Sequence, residues 1–122
     1  MDPAPFPHCC RPGLLLDAVG GDAAIFRELA HIFFRETVDR FDDIARYSAA
    51  GCFDDMGQEA HSLKGTAGTV GADALMQLLR QIEHAGLVQR RGCSPQQLAG
   101  LNALLQCVRD DMQSFLAGLP AG

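Results

Sequence analysis

From Leu14 onward the apolar residues of this chain recur at helical spacing, and no stretch alternates apolar with polar as a half-buried strand would. That periodicity, punctuated by glycines, restricts the chain to an all-α fold. A short helical turn is expected over 13–19, ended by Gly20 and Gly21, with Asp22 placed to cap the next helix. The longest helix should run over 23–50, with Phe26, Leu29, Ala30, Phe33, Val38, Phe41, Ile44 and Ala45 as its apolar stripe and Gly51 as its left-handed stop. A third helix over 54–70, capped by Asp54 or Asp55, should stop at Gly71, and a fourth over 73–85 should stop at Gly86. A basic connection over 87–93 follows. Ser94-Pro95-Gln96-Gln97 then combines an N-cap serine, a proline at the first helical position and a capping-box glutamine. The fifth helix should turn Leu98, Leu101, Leu105, Val108, Met112, Phe115 and Leu116 inward until Gly118 and Pro120 end it.

Four long helices with short connections imply an antiparallel up-and-down four-helix bundle with a short extra N-terminal helix. At 122 residues and 48% hydrophobic content the chain suits one domain. The expected division is a flexible proline-rich arm over 1–12, the bundle over 13–118 and a flexible tail over 119–122. The apolar runs are too short to cross a bilayer, and the opening residues do not read as a secretory signal, so a cytoplasmic location is expected, with no membrane contact. The net charge of −5 and a single adjacent basic pair, Arg90-Arg91, argue against nucleic acid as a partner. Five scattered cysteines (Cys9, Cys10, Cys52, Cys93, Cys107) fit neither a disulfide framework nor a zinc site, and reduced, mostly buried thiols are expected.

The third helix carries the chemistry. On a wheel of about 100° per residue, Met56, Ala60, Leu63, Ala67 and Val70 share one face, and His61 points roughly 140° away from it, toward solvent or a groove edge. Around His61, within about 60°, come Asp54, Gly57, Gln58, Lys64, Gly65 and Gly68. Three interior glycines together sacrifice on the order of 3 kcal/mol of helix propensity relative to alanine. In exchange they leave a shallow floor beside the imidazole onto which another protein can descend. Lys64, one turn from His61, can meet an anion mounted on the ring. Histidine forms covalent intermediates, and a phosphoryl group would bring negative charge that a lysine offsets.

His61-Ser62-Leu63-Lys64-Gly65-Thr66-Ala67-Gly68-Thr69-Val70-Gly71 resembles the signature of histidine-containing phosphotransfer (HPt) domains, most closely those attached to bacterial hybrid sensor kinases. In that family the sequence H-x-L/I-K-G with a later glycine surrounds the phosphorylated histidine. The resemblance implies that His61 is phosphorylated, that Lys64 stabilises the phosphoryl group, and that Gly65 and Gly68 keep the approach open. Gly57 and Gln58 join the expected docking surface. It further implies a phosphorelay intermediate that accepts a phosphoryl group from a receiver-domain aspartate and passes it to another receiver. Such a module is a monomer without turnover of its own, free-standing or part of a parent hybrid kinase, and any Mg²⁺ resides on the receiver. The family places a polar residue of the following helix near the phosphohistidine, and Gln81 or Glu83 could fill that place.

Two other classes compete. An HPt-fold binding module without phosphotransfer would use further faces, such as Phe33-Phe34 or the Arg90-Arg91 loop; the intact histidine and lysine argue against it. A metal-binding bundle would use the Glu28-x-x-His31 spacing of di-iron carboxylate proteins, but the second copy is incomplete, because Gln81 stands where His84 would need a glutamate. No metal or cofactor of the chain's own is therefore expected.

Overall fold

The computed structural model describes residues 8–120. They form α1 (Pro12–Ala18), α2 (Ala23–Ala50), α3 (Phe53–Thr69), α4 (Asp73–Leu87) and α5 (Pro95–Ala117), with no strand among the described residues. The fold is all-α. α2 packs on α3, α3 on α4, α4 on α5, and α5 returns to α2, so four helices share one core, while α1 rests on α2 and α5. The α3–α4 seam is the most extensive of these contacts.

The helix ends follow from local chemistry. The Asp22 carboxylate accepts from the amides of Ala24 and Ile25 at 3.0 and 3.1 Å, and Ser94 with Gln97 closes a reciprocal capping box in front of α5. Gly51 and Gly71 take φ of 77° and 62°, the left-handed conformation that costs glycine nothing. Two ends differ from expectation. Cys52, not Asp54 or Asp55, occupies the N-cap of α3, and both aspartates sit in the first turn, where their charge complements the helix dipole. Gly86 does not stop α4, which continues through it to Leu87.

The core contains the whole expected face of α3: Met56, Ala60, Leu63, Ala67 and Val70 are fully buried. Phe26 and Phe33 of α2, Leu75, Leu79 and Ile82 of α4, and Leu101, Leu105, Val108 and Met112 of α5 complete it. Each large side chain removed from water stabilises the fold by about 1.5–3 kcal/mol. Val38 departs from its expected inward place and is 46% exposed, while Thr37 is buried. The stripe Phe26, Ala30, Phe33, Thr37, Phe41, Ile44 holds the period of 3.6, and Val38 falls one step out of phase. The Thr37 hydroxyl donates to the Phe34 carbonyl, which removes the cost of burying it.

Residues 9–11 and 119–120 are held more firmly than composition suggests. Residues 1–7 of the expected arm and 121–122 of the expected tail lie outside the described residues. From residue 9, however, the segment is packed. Cys10 is 5% exposed, the Arg11 amide donates to the Val70 carbonyl at 2.6 Å, and Cys9 forms a disulfide with Cys107 of α5. The expectation of uniformly reduced thiols thus fails for this pair; Cys10, Cys52 and Cys93 are free thiols. Prolines exclude helix from such a segment but do not prevent it from lying against one. At the other end Leu119 packs on the core and Arg27 donates to the Pro120 carbonyl.

Candidate functional site

α3 turns its small and aliphatic residues inward, and the same helical phase turns His61 out, with 62% of its side chain accessible. The ring is not isolated. Its Nδ1 lies 2.8 Å from Oε2 of Glu83, and the other carboxylate oxygen, Oε1, accepts from Nζ of Lys64 at 2.6 Å. A single carboxylate of α4 therefore bridges the histidine and the lysine of α3.

What brings α4 so close is a pair of glycines. A Cβ on Gly86 would stand 2.5 Å from the Phe53 carbonyl oxygen and 3.0 Å from the Gly57 nitrogen. A Cβ on Gly57 would stand 2.6 Å from Cγ of Leu87. The backbones thus meet where neither helix carries a side chain. Along the seam Gly57 meets Gly86, His61 meets Glu83 and Gly68 meets Met76, so the two helices run in opposite directions. Glu83 lies one turn before Gly86, and His61 one turn after Gly57, which sets the carboxylate beside the ring. Gly57 was expected on the docking surface; it is buried instead, and its role is to admit α4.

Gly65 and Gly68 lie on the outer side of α3. Both are exposed; a Cβ on Gly65 would meet nothing within 4 Å, and one on Gly68 would meet only the end of Met76 at 3.7 Å. Among the described residues nothing crowds a Cβ at either position. Gln58 is exposed one turn before His61. Gln81 is exposed as well, and Glu83, the other residue expected near the ring, is the one that reaches it.

The electrostatics follow from the bridge. The hydrogen bond from the Lys64 ammonium, with that from His61 and the charges of both, holds the Glu83 carboxyl below its ordinary value of 4.5, against a partial burial that pushes it up. An ionised Glu83 can accept a hydrogen bond from Nδ1–H, and in that tautomer the lone pair of the imidazole lies on Nε2. Beside this triad, Arg40 of α2 donates to Glu36 at 2.8 Å and to Glu59 at 3.2 Å, and Thr66 donates to Glu36 at 3.3 Å, which fastens the α2 flank of α3.

The other candidates fall elsewhere. Phe33 is buried and Phe34 packs against its edge, so that pair belongs to the core. Arg90 pairs with Asp54 in the exposed loop before α5. Glu28, His31 and His84 are all exposed.

Sequence reasoning missed the Gly57–Gly86 crossing. Its only signal was a glycine inside each of two helical patterns, which can mark a close backbone approach as readily as a stop or an open surface.

Residues 28–114 match the family model of the Hpt domain. No curated protein and no solved structure matches the chain. The matched span holds α3, α4 and nearly all of α2 and α5, with His61, Lys64 and Glu83 inside it, and on that ground the chain belongs to the Hpt domain family.

Proposed function

We propose that this chain is a cytoplasmic phosphorelay intermediate in which Nε2 of His61 accepts a phosphoryl group from an aspartate of one receiver domain and delivers it to an aspartate of another. The observation that carries this reading is the orientation of the ring: exposed, with Nδ1 held by Glu83, so that Nε2 is the free nucleophilic atom.

In the forward step the Nε2 lone pair forms the N–P bond as the receiver's acyl phosphate P–O bond breaks, and the electron pair leaves on the aspartate carboxylate. Positive charge grows on the imidazole as that bond forms. The Glu83 carboxylate, already accepting from Nδ1–H, offsets it. Lys64 is half-buried against the same carboxylate and close enough to turn its ammonium toward the phosphoryl oxygens. Return transfer reverses each bond change. Mg²⁺, supplied by the receiver, would neutralise phosphoryl charge during transfer. As a module rather than a catalyst, the chain needs no nucleotide site.

The bare strip of Gly65 and Gly68, with Gln58 beside it, provides room for the receiver to bring its aspartate within bonding distance of Nε2. The direct test mixes a phosphorylated receiver with wild-type chain and with His61→Gln. Wild type should take up label and the variant none; label on the variant at the wild-type level would overturn the reading.

A further inference from the structure

A second feature, distinct in chemistry from His61, is a disulfide. The Cys9–Cys107 disulfide joins residues 98 apart in sequence and ties the N-terminal segment to α5. Around it lies a strap. The Asp111 carboxylate, one turn beyond Cys107, accepts from the amides of Cys9 and Cys10 at 2.5 and 3.2 Å, and its other oxygen lies 3.3 Å from Nδ1 of His8. One residue further, the Arg11 amide is bonded to the carbonyl of Val70 at the end of the His61 helix. The strap thus spans from α5 to the turn between α3 and α4.

Both residues of the disulfide are half-buried, and both line a groove of about 860 Å³ together with His8, Arg11, Ala74 and Leu104. That volume falls in the range of small-molecule sites. A small thiol entering that groove would meet the two cysteines that the bond joins. The neighbouring Cys10 cannot substitute for that thiol. It is buried, its Sγ faces the Val108 carbonyl, and burial with the adjacent Asp111 charge pushes its thiol up to about 12, so it stays protonated and non-nucleophilic.

A reducing cytosol, where a phosphorelay module is expected to work, keeps most thiols reduced, and a disulfide there is commonly transient or redox-sensing. We propose that Cys9–Cys107 is a reversible thiol-exchange site for a low-molecular-weight thiol, and that its redox state sets how tightly residues 9–11 are held across α5 and the α3–α4 turn. A thiolate of the small thiol attacks one sulfur, forming a mixed disulfide and releasing the other cysteine as thiolate, which takes a proton. A second small thiol attacks the mixed disulfide, releasing the second cysteine and leaving as the oxidised dimer. Two electrons and two protons pass from the small thiols to the protein. With the bond open, the segment keeps its hydrogen bonds to Asp111 and Val70 and the buried packing of Cys10 but loses its covalent tie to α5, and non-covalent contacts open locally far more often than a covalent link.

The test needs no variant to begin with. The full chain is equilibrated in reduced and oxidised glutathione at graded ratios, with a chelator present so that no metal competes for the thiolates, then acid-quenched and alkylated. Cys9 and Cys107 should convert together along the gradient. Amide exchange at Cys9, Cys10 and Arg11 should accelerate about tenfold or more on reduction, with the amides around His61 unchanged. The Cys9→Ser, Cys107→Ser double variant should show the faster exchange in every buffer. A bond that stays oxidised throughout, including in excess dithiothreitol without denaturant, would overturn the proposal. So would strap amides equally protected in both states.

Discussion

Two pairs of glycines lie on α3 and its neighbour, and they do opposite things. Gly57 and Gly86 are buried, and a Cβ on either would collide with the other helix at 2.5–2.6 Å. Gly65 and Gly68 are exposed, and a Cβ there would meet open space or ordinary contact. The first pair is required by the chain's own packing, because it lets α4 approach until Glu83 reaches His61 and Lys64. Packing among the described residues leaves room for a Cβ at the second pair, and the proposed approach of a receiver is what would explain its propensity cost. A glycine in a helix is thus informative only once its surroundings are known.

The same substitution should separate the pairs. Gly86→Leu forces a side chain against the Phe53 backbone, which cannot yield as a flexible side chain would, so a loss of about 3 kcal/mol or more in unfolding free energy is expected by denaturant titration. Near-wild-type stability would mean that the seam is looser than described. Gly68→Leu, in contrast, should leave the far-UV helical signal and melting midpoint near wild type while slowing phosphotransfer by about 10–100-fold, because a displaced approach at a reacting centre is costly. If transfer were unaffected, the bare strip would not be where the receiver lands.

Glu83→Gln sharpens the link between the two pairs. The amide oxygen can still accept from Nδ1, but the charge opposing the developing imidazolium is gone, and roughly tenfold slower transfer is expected in single-turnover assays. The acid limb of stability should change too. The Glu83 carboxyl is held below 4.5 when folded, so its contribution is complete above that value and lost as pH falls through the lower, folded one. The variant should lack that part of the acid destabilisation, and an identical acid limb would show the bridge to be energetically idle. The smallest effect is expected at Gly65→Ala, which should stabilise the chain by about 0.5–1 kcal/mol through helix propensity alone. A destabilised Gly65→Ala would reveal an internal contact at a position where the structure shows none.

How much of this was legible in the sequence depends on whether one helix sufficed. The inner face of α3 and the outward His61 follow from phase alone, and both are as expected. The role of Gly57 does not: it lies on the His61 side of the wheel, yet α4 covers that flank, and a wheel says where a residue points without saying what stands there. Glu83 was in view only as one of two polar candidates, because its reach depends on the same crossing. Val38 was misplaced by one step in a long helix, where the count of turns has to be kept over many residues. Cys9 and Cys107 were unreadable as a pair, since an odd number of cysteines with scattered spacing carries no pairing information and their contact exists only in three dimensions.

The claim beneath the rest is that Glu83 fixes the imidazole of His61 with Nε2 outward as the atom that takes the phosphoryl group. Phosphorus–nitrogen coupling in the NMR spectrum of the ¹⁵N-histidine-labelled chain, recorded after phosphorylation by a receiver domain, measures this directly. We expect one phosphorylated imidazole, His61, coupled through Nε2, with Nδ1 retaining its proton. Phosphorus on Nδ1, or on any other residue, would contradict it.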